Sequence, residues 1–131
     1  MSELISASGK PVKIPGPDHP ITIAPHAARV VVRVAGQTIA DSRNALALQE
    51  ASYPAVLYIP RSDVNMALLQ KTDYATYCPY KGECCYFSIP LGGQRAVNAV
   101  WSYEIPYNAV VAIKDHLAFY PDRVDEIRSE T

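Results

Sequence analysis

Apolar runs in this chain are short, rich in β-branched and aromatic residues, and each is cut by a turn signal. Arg29-Val-Val-Val-Arg-Val-Ala35 has strand composition, Ala35-Gly36 can turn it, and Gln37–Asp41 returns as a hairpin partner. Ser42-Arg43-Asn44 breaks the run before Ala45–Glu50, which alternates as a third strand, and Tyr53-Pro54 interrupts before Val56–Ile59. Thr72–Cys78 and Glu83–Ile89 flank Pro79-Tyr80-Lys81-Gly82, whose proline and glycine suit a tight turn. Ala96–Tyr103 is a further strand, and His116–Tyr120 is another, stopped by Pro121-Asp122. About seven short antiparallel strands with such punctuation predict a mainly β chain, a sandwich or an open barrel. One short helix is expected at about 61–70, where Val64, Ala67 and Leu68 follow Pro60 at i, i+3, i+4 spacing. Val110–Lys114 can add a single helical turn.

Residues 1–25 hold five of the eleven prolines: Pro11, Pro15, Pro17, Pro20 and Pro25. Proline donates nothing to a ladder and biases its predecessor toward extended geometry, so this stretch reads as an irregular arm. Residues 26–131 then form a single mainly β domain, a size that suits one core. Formal charge is balanced to −1 with no Lys/Arg block, which argues against a dedicated nucleic-acid surface. No window approaches the roughly 18 apolar residues of a membrane helix. The first residues lack the basic and apolar regions of a secretory signal. Three crowded cysteines, Cys78, Cys84 and Cys85, make no disulfide framework, and a reducing, cytoplasmic setting is the expectation.

Five segments in order carry a resemblance: Ile39-Ala-Asp-Ser42, Leu57-Tyr-Ile-Pro-Arg-Ser-Asp-Val64, Cys78-Pro-Tyr-Lys-Gly82, Asn98-Ala-Val-Trp-Ser-Tyr-Glu104 and Ala118-Phe-Tyr-Pro-Asp-Arg-Val124. With them the chain resembles the bacterial and fungal family of the domain of unknown function 427, also labelled a nucleotidyltransferase-like domain. The resemblance implies a tent-like β fold, of the kind found in small zinc-binding chaperones and a methionine sulfoxide reductase class, and it implies no established activity. The nucleotidyltransferase label finds no support in the residues. That chemistry needs neighbouring carboxylates on magnesium and a phosphate cradle, whereas Asp41, Asp63 and Glu104 are scattered singly and no Gly-rich loop precedes a helix. A structural zinc site wants two Cys-x-x-Cys pairs. Here Cys78-x5-Cys84-Cys85 stands alone, and strand alternation sends Cys84 and Cys85 to opposite faces. Neither a metal nor another cofactor is expected.

The candidate site residues are Arg33, Glu50, Tyr58, Cys78, Lys81, Tyr86, Trp101 and Tyr103. Arg33 offers a planar fork of donors to an anion, or else is an outward-facing arginine on a half-exposed strand. Glu50 can pair with Arg33 or Arg61. Cys78 becomes a thiolate nucleophile or redox group if Lys81 or Arg33 lies near; otherwise it is a small buried hydrophobe. Tyr58, Tyr86, Trp101 and Tyr103 can stack on a planar ligand while their polar tips orient it, or can form an ordinary aromatic core. Together they suggest a small-molecule pocket, catalytic or sensory, for a small anionic and partly planar ligand, with Lys81 and Cys78 at its rim. A non-catalytic protein-interaction module, with a homodimer as one form, is the alternative, and a thiol-redox enzyme a third.

Overall fold

A computed structural model describes residues 4–6 and 9–130 of the chain. Its strands are β1 (Leu4–Ile5), β2 (Pro11–Val12), β3 (Ile21–Pro25), β4 (Arg29–Val34), β5 (Gln37–Ser42), β6 (Leu46–Glu50), β7 (Val56–Pro60), β8 (Gln70–Cys78), β9 (Gly82–Ser88), β10 (Val100–Ser102), β11 (His116–Phe119) and β12 (Glu126–Glu130). The chain is mainly β, in antiparallel sheets that do not close into a barrel. One sheet has seven strands in the order β3-β6-β7-β11-β10-β9-β8, and a second has the order β12-β4-β5. β1 and β2 form a separate small ladder. Helical turns are short 3-10 segments, and among the described residues no helix is long and apolar enough to cross a membrane.

Strand alternation divides the side chains into two clusters. Val30, Val32 and Val34 of β4 pack on Ile59 of β7, Phe87 of β9, Val100 of β10 and Leu117 and Phe119 of β11, forming the core between the two sheets. Burying each of these side chains contributes about 1.5–3 kcal/mol. The residues of opposite parity emerge on the other face of the large sheet. There Leu48, Tyr58, Cys84, Tyr86 and Ala118 gather with Tyr103 under Val110 and Ile113 of the 3-10 segment Asn108–Ile113. This second, aromatic cluster carries the candidate site.

The hairpin expected around Pro79–Gly82 forms, with β8 and β9 antiparallel and Cys78 opposite Gly82. Gly82 has φ +109°, a conformation closed to most L side chains, and an added Cβ would meet the Ile105 carbonyl oxygen at 3.4 Å. Four other features depart from the sequence reading. The helix at 61–70 is absent: Arg61–Asp63 and Met66–Leu68 are separate 3-10 turns. Val64 lies extended between them in a bridge to Ala40, and Asn65 N–H donates to the Ile39 carbonyl at 2.8 Å, so pairing with β5 overrides the helical spacing. The strand expected at 96–103 shortens to Val100–Ser102, because Pro90–Ala96 is a 3-10 segment and Asn98 is left-handed at φ 53°. The last residues of the expected arm, Ile21–Pro25, are instead the edge strand β3, paired with β6; an edge is where a sheet accepts proline. Finally, β12 pairs with β4 although Ile127 is its one large apolar residue.

Candidate functional site

On the aromatic face of the large sheet lies a cavity of about 230 Å³, lined by Glu50, Tyr58, Lys81, Tyr86, Trp101, Tyr103 and Tyr120, with Leu48, Tyr53, Pro54 and Val56 at its sides. Glu50 ends β6 and Lys81 sits in the β8–β9 turn, and the fold brings their opposite charges together. Lys81 Nζ donates to Glu50 Oε1 in a short ion pair, and the side chains are only 10% and 17% exposed. The second carboxylate oxygen lies 2.7 Å from His19 Nε2. His19 in turn stacks on Tyr80, with ring centroids 4.1 Å apart and planes 7° from parallel. Burial disfavours the Glu50 carboxylate, but the hydrogen bonds from Lys81 and His19 outweigh it and hold its pKa below the ordinary value.

The walls are aromatic and neutral. Trp101 Nε1 donates to Tyr58 Oη at 3.2 Å, and the two ring systems stand nearly perpendicular, 6.3 Å apart. Tyr120 also packs against Trp101, with ring centroids 4.5 Å apart. Tyr86 Oη is 2.9 Å from Thr76 Oγ1, and Lys81 Nζ lies 5.8 Å from the centre of the Tyr103 ring. Burial raises the pKa of Tyr58, Tyr86 and Tyr103 far above that of an ordinary phenol, so all three are neutral hydrogen-bonding groups at physiological pH. The cavity therefore combines one compensated ion pair with several phenols and an indole.

Six of the eight residues named from the sequence meet here: Glu50, Tyr58, Lys81, Tyr86, Trp101 and Tyr103. Arg33 does not. It shares parity with Val31 on β4, opposite Val32 and Val34 that enter the intersheet core, so it faces away from the large sheet that carries Trp101. Its guanidinium is occupied locally, by Thr38 Oγ1 at 2.9 Å and the Gly36 carbonyl at 2.7 Å. The expected partners of Glu50 also change, since Arg61 pairs with Glu104 and Lys81 and His19 take its place. Cys78 is partly buried against the aromatic cluster and does not line the cavity. Burial raises the Cys84 thiol and pushes Cys85 up to about 11, so both remain thiols. Their side chains face opposite ways, as alternation requires: Cys84 joins the aromatic cluster and Cys85 packs on the intersheet core.

His19 and Tyr120 are not among the site residues read from the sequence. Tyr120 was accessible to parity reasoning, since Ala118 is the register partner of Trp101 and Tyr120 lies two residues on. His19 belongs to the proline-rich arm, where no periodicity points toward Glu50. The carboxylates that a nucleotidyltransferase would need are each engaged by a different partner: Asp41 by Arg29, Asp63 by Ser42, and Glu104 by Arg61 and Lys71. Among the described residues no three His, Cys, Asp or Glu side chains gather as a metal site. Magnesium-dependent phosphoryl transfer does not fit these residues.

A family profile described as a domain of unknown function, DUF427, matches residues 22–130. The chain belongs to the DUF427 family. No curated protein matches it. The DUF427 match begins inside β3 and ends with β12, so it contains every cavity-lining residue, while His19 lies just outside it.

Proposed function

We propose that this DUF427 chain binds a small, planar, polar molecule in the Glu50–Lys81 cavity, as a receptor or sensor more than as a catalyst. The observation that supports this is a nearly buried ion pair forming one wall of an aromatic-lined space. Burying two charges is costly, and a carboxylate and an ammonium held rigidly beside a cavity can each hydrogen-bond a ligand that enters. At about 230 Å³ the space is smaller than the roughly 300–1,000 Å³ of drug-sized sites, which suits one ring with its substituents. Tyr58, Trp101 and Tyr120 supply faces for stacking, and the phenols supply neutral donors and acceptors.

An anionic ligand was suggested by Arg33 and Lys81. Arg33 is remote and the Lys81 charge is already matched by Glu50, so a neutral or zwitterionic ligand fits better. Catalysis is less favoured because the cavity presents no thiolate or unpaired base beside a nucleophile. The test is a melting-temperature screen of single-ring metabolites. A ligand at one hundred times its dissociation constant adds about 2.7 kcal/mol, a shift on the order of 10 °C for a domain of this size. Stabilisation that disappears in Trp101→Ala and Glu50→Gln, both still folded, supports the reading; stabilisation that survives both refutes it.

A further inference from the structure

The large sheet splays beside this cavity. The ladder between β7 and β11 includes Leu117↔Ile59 and goes no further in that direction, although β7 begins at Val56 and β11 continues to Phe119. Trp101 on β10 reaches across β11 at this point to bond Tyr58 on β7, a reach permitted because its register partner on β11 is only Ala118. A second cavity, of about 390 Å³, opens between the two sheets at the splay. Its walls include Val30 and Val32 of β4, Leu57 and Ile59 of β7, Phe119 of β11 and Ile127 of β12. Val56 and Trp101 line both cavities, so the polar space and the apolar space meet at one indole.

The geometry points to a single amphiphilic ligand spanning both: a small planar polar head against the Glu50–Lys81 pair, and an uncharged aliphatic tail passing Trp101 into the intersheet cavity. This rests on the reading of the first cavity given above and adds the ligand class. The tail is aliphatic because the second cavity carries no charged side chain, and Ser129 at its exposed outer strand is the one polar side chain lining it. An apolar hollow of this size, sharing Val56 and Trp101 as walls with a polar one, gains from an occupant that removes its walls from water.

The n-alkyl esters of 4-hydroxybenzoic acid, from methyl to octyl, probe this directly, since the ring is constant and only the tail grows. Calorimetry should show the methyl ester binding, with affinity rising by up to about fourfold per added methylene until the second cavity is full. Ser129→Phe narrows that cavity from the exposed end of β12 without touching the first, and Ile127→Phe is the second variant should the first melt early. Either should flatten the chain-length series and leave methyl-ester affinity unchanged. If the methyl ester binds but longer esters gain nothing, or the gain persists in both folded variants, the inference falls alone. If no ester binds, the reading of the first cavity falls with it.

Discussion

Replacing Lys81 by Met removes the cation from the Glu50 carboxylate and leaves the carboxylate where it is, at the end of β6. Breaking a fully buried pair costs about 3–5 kcal/mol. Side-chain exposures of 10% and 17% admit some solvent, and His19 still donates to the other oxygen, so a cost of about 2–4 kcal/mol is expected near pH 7. In urea, with a slope of roughly 1–3 kcal/mol per molar, the midpoint should fall by about 1–2 M. The pH dependence carries the sharper test. In the native protein the folded Glu50 pKa is lowered, so its contribution is present above the unfolded value and is lost as pH falls through the lowered one. Without Lys81, burial, the largest influence on Glu50, is no longer offset by its strongest partner, and the folded pKa should rise. The variant then loses stability as pH rises through that raised value, so its deficit should be smaller at pH 5 than at pH 7.5. A deficit below about 1 kcal/mol at pH 7, or one of equal size at pH 5 and pH 7.5, would refute a strongly desolvated pair.

Arg33→Met should change stability by less than about 1 kcal/mol and leave any ligand-induced melting shift intact, because its guanidinium serves only the β4–β5 turn. Gly82→Ala should cost about 1–3 kcal/mol in thermal melts, the strain of a side chain at φ +109°; an unchanged melting temperature would count against the turn geometry. Alkylation of Cys85 followed by mass spectrometry should be slow at pH 8 and accelerate toward pH 11, whereas the rate of an ordinary free thiol at pH 8 would contradict its burial. Trp101→Phe should cost about 1 kcal/mol through the lost bond to Tyr58, read by urea denaturation, and should abolish tryptophan emission, because Trp101 is the chain's single tryptophan.

The parts legible in the sequence are those where local chemistry and long-range packing agree. The β8–β9 hairpin follows from proline and glycine in its turn, and the gathering of Tyr86 and Trp101 follows from parity, since the two face each other in register. Where they disagree, packing wins. Val64 belongs to a helical spacing but is β-branched and bridges to Ala40. Ile127 makes a strand of a charged segment only because β4 offers it an unpaired edge. Charge and strand parity draw Arg33 toward the site, but the order of strands, which local composition does not encode, places it on the other sheet. His19 reaches Glu50 through a bend at Gly16–His19, a contact that no periodic pattern announces.

The pairing of β12 with β4 has a consequence during synthesis. Val30, Val32 and Val34 are made early, yet one edge of β4 has no partner until Glu126–Glu130 has been translated. At about 5–20 residues per second, the roughly ninety intervening residues take on the order of 5–20 s. For that interval the nascent chain presents a valine-rich strand with a free edge, the kind of template that pairs with other chains. A ribosome stalled before residue 126 should therefore recruit a chaperone to this strand, and release from it should coincide with the arrival of Ile127.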